Sequence, residues 1–142
     1  MLGWTAWGDS ERYAEHFGAQ VWIHEADADA APFADVVFAD NVVAGPGAIH
    51  IVPMPGHTRG SVAYRLHDIL FSGDTLACDE RREVLEAYRE FCWFDWSSQL
   101  DSIATLRGIG FSRLLAGHGG SVELTPDAMD SQISALLVRS QR

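Results

Sequence analysis

Three segments of this 142-residue chain carry side chains able to hold a borderline metal ion: PMPGHTRGS with His57, FSGDTLA with Asp74, and LLAGHGG with His118. Two imidazoles and a carboxylate meeting at one point suit zinc or iron, bound through neutral ring nitrogens and a charged oxygen. Taken singly, each has an ordinary explanation. A histidine after Pro-Gly is commonly a turn residue, and Gly-Asp after a strand commonly opens a loop. Chemistry therefore depends on whether the fold brings the three together.

The elements around them predict that it does. AIHIVPMP and SVAYRL alternate apolar and polar residues as strands do, and DILFSG is a third, compact apolar run. With His67 and Asp68 as a two-residue turn, Leu66 pairs with Ile69, and continuing the register sets Ser61 opposite Asp74. His57 lies in the loop just before Ser61, so His57 and Asp74 reach the same sheet edge. Beyond them, a strand over 69–73, a helix over 97–107 and a strand over 112–116 form a β-α-β crossover, which makes the two strands parallel when they share a sheet. Parallel strands end on one edge, and this puts His118 beside Asp74. The glycines of LLAGHGG let the backbone turn tightly there.

In that order, PGHTRGS, FSGDTLA and LLAGHGG resemble the later ligand motifs of the metallo-β-lactamase superfamily. The resemblance runs from about Gly8 onward, through the helix DSERYAEHFGA and the segment VWIHEADA, and is nearest to hydroxyacylglutathione-hydrolase-like and generic metallo-hydrolase branches. It implies an α/β (α+β) fold, an αββα sandwich of two sheets flanked by helices, with residues 1–142 as a single, N-terminally incomplete domain. It also implies roles: His57 completes a first metal site, Asp74 bridges two metals as the catalytic carboxylate, and His118 belongs to the second site. Zinc, or iron or manganese, would activate water to attack a carbonyl or phosphoryl centre. Met1 to Ala6, MLGWTA, stand where the superfamily carries H-x-H-x-D-H. The chain is then expected to be the C-terminal part of a longer hydrolase or a degenerate member, with metal weakly bound or substoichiometric. The expected function is hydrolysis of a small ester or thioester, impaired here; the alternative is a noncatalytic binding or scaffold protein.

Composition narrows the partners. Twenty acidic against ten basic residues leave a formal charge of −10, which opposes nucleic-acid binding. No stretch is apolar for long enough to span a bilayer, so no membrane partner is expected. Cys78 and Cys92 show no pairing pattern, which suggests free thiols and a cytoplasmic protein. A small-molecule substrate is expected, and a second copy or a partner chain to cover the sheet face that missing leading strands would leave bare.

Other residues have simpler expected roles. His16, His24, His50 and His67 read as helix-surface, strand-end, strand-surface and turn residues. Asp9 or Ser10 caps a helix that carries Tyr13, Ala14 and Phe17 on one side and stops at Gly18. DNVVAGPGA, residues 40–48, reads as a loop, FSRLLAG as a buried strand, and Thr125-Pro126 as the start of a last helix with Met129, Ile133, Leu136 and Leu137 inward. EFCWFDW is expected in the core, with an aromatic wall over a substrate pocket as its alternative. Arg59 would attract an anionic substrate or pair with a carboxylate, and Cys78 would be a buried structural thiol.

Overall fold

The computed structural model describes residues 9–39, 43–44 and 49–140. The window Met1 to Ala6 therefore lies outside the described residues. The first element is helix α1, Ser10–Phe17, with Asp9 at the N-cap position, its side chain bonded to Arg12 and not to a backbone N–H, and ended by Gly18, whose φ of 62° is the left-handed turn that a residue without Cβ adopts at least cost. Strand β1, Trp22–His24, pairs in parallel with β2, Val36–Phe38, across a short 3-10 segment, Glu25–Ala30.

The main sheet has six strands. They are β3 (Val43–Ala44), β4 (Ile49–Pro53), β5 (Val62–Leu66), β6 (Ile69–Gly73), β9 (Arg113–Ala116) and β10 (Val122–Glu123), in the spatial order β10-β9-β6-β5-β4-β3. Between β6 and β9 the chain forms a small hairpin, β7 (Ala77–Asp79) with β8 (Val84–Glu86), and helix α2, Trp96–Thr105. The last helix, α3, spans Pro126–Ser140. This is the mixed α/β architecture expected. The predicted register holds from Leu66 opposite Ile69 to Tyr64 opposite Phe71, where the β5–β6 ladder ends short of Ser61 and Asp74. So does the crossover: β6 and β9 are parallel, with Leu70 beside Leu114 and Gly73 beside Ala116.

One face of the sheet makes the core. Leu70 and Leu114 are fully buried and join Met54 and Ala63, against Ile103 and Leu106 from α2 and its end and Met129, Ile133 and Leu136 from α3. The alternation of a strand then turns Phe71 and Leu115, which are Cα partners, to the other side, where each remains 38% exposed. FSRLLAG is thus buried on one side only. Similarly, α1 buries none of its residues, and Tyr13 and Phe17 stand 62% and 70% exposed. The 40–48 loop also contains an edge strand, since β3 pairs with β4 through Val43 with His50 and Ala44 with Ile49. β2, β7, β8 and β10 have too few residues for their period to register in the sequence.

Asp68 does more than turn the β5–β6 hairpin, where His67 takes the left-handed φ of 55°. Its carbonyl accepts from the backbone N–H of Ser112 and Arg113. Its carboxylate accepts from the Ser112 hydroxyl at 2.6 Å and from the Arg113 guanidinium at 3.3 Å, so the hairpin tip is tied to the start of β9. The Ser112 and Arg113 hydrogen bonds hold the Asp68 carboxyl below the usual carboxylate range. A carboxyl lowered in the fold stabilises it above the unfolded value, and that contribution disappears as pH falls through the lowered folded value. Asp68→Asn is therefore expected to flatten the acid side of the stability profile below about pH 4, measured as urea midpoints between pH 2 and 7. An unchanged acid limb would contradict this.

Candidate functional site

The His57 loop, residues 54–61, leaves the end of β4 and closes through Met54 N–H donating to the Ser61 carbonyl at 2.8 Å. Asp27, from the 3-10 segment, holds it from one side: its carboxylate accepts from the Thr58 hydroxyl at 2.5 Å and the Gly60 N–H at 3.0 Å. Helix α2 holds it from the other. The Ser102 hydroxyl donates to the Pro55 carbonyl at 2.8 Å, and Gly56 lies so close that any Cβ there would stand 2.3 Å from the Cβ of Gln99. The same helix reaches the Asp74 loop, because the buried Gln99 side chain donates to the Thr75 carbonyl at 2.9 Å. Asp95 caps α2 by accepting from Ser98 N–H at 2.6 Å, and this lowers its pKa.

Asp74 follows a register shift between Phe71 and Gly73 that ends the regular pairing of β6 with β9. The Ser72 hydroxyl donates to the Leu76 carbonyl at 2.6 Å across the turn. Gly117 N–H donates to the Gly73 carbonyl at 2.7 Å, and a Cβ on Gly117 would lie 2.8 Å from Asp74 Oδ1, so the glycine makes room for the carboxylate. The loop that carries His118 is clamped next, by reciprocal backbone hydrogen bonds between Cys78 and Gly120. Cys78 is buried, as expected, and burial pushes its thiol pKa up; both cysteines are free.

His57, Asp74 and His118 thus meet at one edge. His118 Nδ1 lies 2.7 Å from Asp74 Oδ1, and His57 Nε2 lies 3.7 Å from Asp74 Oδ2. His57 Nδ1 lies 2.6 Å from the Phe91 carbonyl. A carbonyl only accepts, so Nδ1 carries the proton and donates. In the neutral ring, Nε2 is then a bare acceptor aimed at another acceptor. Their separation is beyond an N–H···O hydrogen bond and near the spacing of about 3.3 Å between two donors of one tetrahedral zinc. These two atoms fit a shared cation. His118, by contrast, is bonded directly to Asp74 and its side chain is 87% exposed. Among the described residues no three His, Cys, Asp or Glu side chains gather closely enough to hold one metal ion.

The remaining histidines stand where expected. His16 is on α1, His50 is exposed on β4, His67 is in the turn, and His24 ends β1, where its Nδ1 accepts from Ala26 N–H. EFCWFDW corrects its expectation of core packing at three residues, Phe91, Trp93 and Phe94, which are 57%, 59% and 46% exposed, while Trp96 does pack against the core. The segment's backbone is committed to the His57 loop, through Trp93 N–H to the His57 carbonyl and Phe94 and Asp95 N–H to that of Gly56, which keeps it on the surface. The Trp93 ring packs on His57 with centroids 4.6 Å apart. Arg59 lies over Phe94, 5.2 Å from its centroid. Of its two expected roles, pairing with a carboxylate does not occur among the described residues.

Sequence reasoning missed Asp27, Gln99, Ser102 and the Phe91 carbonyl. Gln99 and Ser102 did leave a trace, as polar residues at the helical spacing of the buried face with Ile103. The other two left none.

No family model matches the chain. Two curated proteins match part of it: hydroxyacylglutathione hydrolases of Anaeromyxobacter dehalogenans, 39% identical, and Shewanella pealeana, 28% identical. Each match covers 49% of this chain and 28% of the relative, so the shared stretch is under a third of the relatives' length. Among solved structures, the BLEG-1 B3 metallo-beta-lactamase superimposes with a TM-score of 0.69 and 20% identity over 91% of this chain and 70% of its own. TTHA1623 in a di-iron-bound form gives 0.55 and 20%, over 85% and 68%. The chain therefore has the fold of these metallo-β-lactamase structures, and over about half its length it shares sequence with the two hydrolases.

Proposed function

We propose that this chain is a metal-dependent hydrolase of a small ester or thioester, with low activity, and that His57, Asp74 and His118 carry the site. The observation that supports this best is the pair of acceptors, His57 Nε2 and Asp74 Oδ2, facing each other at 3.7 Å. A cation between them relieves their repulsion, and zinc, iron or manganese suits one imidazole nitrogen and one carboxylate oxygen. When bound, such an ion supplies Lewis acidity and lowers the pKa of water at the site.

The chain's own residues do the positioning. Phe91 fixes the His57 tautomer so that Nε2 is free to bind. His118 donates to Asp74 Oδ1 and thereby orients Oδ2 toward His57. Gln99 and Ser102 hold the two loops at a constant separation from inside the fold. The activity by which the two relatives are named, hydroxyacylglutathione hydrolysis, supports a thioester-type substrate. One observation favours a second reading, a noncatalytic binding or scaffold protein: only two of the three candidate residues face each other at ligand spacing.

Weak metal retention follows from so few donors. Dialysed protein is expected to hold well under one ion per chain by elemental analysis, and retention of two would show that further ligands exist. Residual hydrolysis of thioesters or activated esters should fall to background on chelation and in Asp74→Ala, with the far-UV spectrum unchanged, while His50→Ala leaves it intact. A rate indifferent to both treatments would remove the hydrolase reading.

Self-association is proposed on separate grounds. Phe71 and Leu115 form an exposed apolar pair on the sheet face opposite the core. Sedimentation velocity over a hundredfold concentration range should show a rising weight-average coefficient. A constant monomer value would exclude it.

A further inference from the structure

The aromatic segment beside His57 is built for more than holding that ring. Phe91, Trp93 and Phe94 are large apolar side chains within four residues, about half exposed, in a chain that buries Phe38 and Phe111. Solvating them is unfavourable by the apolar area they present. Backbone bonds to Gly56 and His57 hold the segment at the candidate site. Tyr88 extends the strip: its ring meets Phe91 edge-on at 6.2 Å and comes within 3.9 Å of the Cβ position at Gly119, next to His118. Aromatic surface therefore runs from one candidate histidine to the other.

Arg59 gives the strip a charged end. Its guanidinium lies over the Phe94 ring and has no ion pair among the described residues. A guanidinium held over a ring keeps N–H donors that a carboxylate can engage through two hydrogen bonds. The protein as a whole carries a formal charge of −10. Acidic groups dominate the remaining surface and repel anions, so an anion would be drawn to this point and away from Asp74.

We infer that Trp93, Phe94 and Arg59 form the substrate-binding face of the site, and that it takes an aromatic acyl group bearing a carboxylate. The ring of the ligand lies on Trp93 and Phe94, its carboxylate meets Arg59, and its ester or thioester carbonyl is left toward His57 and Asp74. The substrate part of this inference rests on the hydrolase reading above; the binding part does not.

The test uses 2-naphthoate and its neutral analogue 2-naphthylmethanol, each titrated calorimetrically into the whole chain. Naphthoate is expected to bind about fivefold more tightly than the alcohol, the scale of one partly exposed charge contact. Arg59→Gln should make the two ligands equal. Trp93→Ala should weaken both about fivefold, the scale of one lost ring contact. Both residues are exposed, and far-UV spectra confirm that the variants are folded. Absence of naphthoate binding, persistence of its advantage in Arg59→Gln, or unchanged affinity in Trp93→Ala would each overturn the site. If the binding pattern holds while metal-dependent hydrolysis of a carboxylated naphthoyl thioester is absent, the substrate assignment fails and the anion-binding face stands.

Discussion

Helix α2 holds this site together through two hydrogen bonds, one buried and one partly buried. Gln99 reaches the Thr75 carbonyl and Ser102 the Pro55 carbonyl, so one rigid element grips the loop of Asp74 and the loop of His57 at once. Both bonds satisfy backbone carbonyls that the turns leave without ladder partners. A buried carbonyl left unpaired costs about 1–3 kcal/mol, so the helix cannot move away from either loop without penalty. The close seat of Gly56 against Gln99 adds a steric limit to the polar one. Around this helix the β-α-β crossover makes its contribution, bringing the β6 and β9 ends to a common edge.

Electrostatics at that edge follow from a single carboxylate with two different neighbours. One oxygen of Asp74 accepts a hydrogen bond from His118, and the other faces Nε2 of His57. The asymmetry has a structural origin. The Phe91 carbonyl takes the His57 Nδ1 proton, so the 89–95 segment decides which ring nitrogen confronts the carboxylate. That segment therefore both shapes the site electronically and walls it with aromatic surface. Its sequence has apolar character without strand or helix periodicity, which is the composition of a surface strap and not of a core element.

Likeness of fold and local geometry bear on different questions. Similarity to the BLEG-1 and TTHA1623 structures concerns the course of the backbone, and chemistry resides in side chains grafted on it. Here the shared backbone delivers His57, Asp74 and His118 to one edge. The residues that refine their arrangement are Asp27, Gln99, Ser102 and the strap, and these set how firmly His57 and Asp74 face each other.

The sequence alone determined the hairpin, its register, the parallel β6–β9 pair and the two later helices, because each depends on local periodicity or on a handed connection of short range. It also determined that His57, Asp74 and His118 share an edge, since this follows from the register and the crossover together. Only the tertiary structure decided which atoms meet there. The 2.7 Å and 3.7 Å spacings, the tautomer of His57 and the reach of Gln99 across 24 residues to Thr75 depend on rotamers selected by packing between distant segments. The exposure of Phe91, Trp93 and Phe94 was likewise settled by where their backbone hydrogen bonds go, a matter of tertiary partners on which composition is silent.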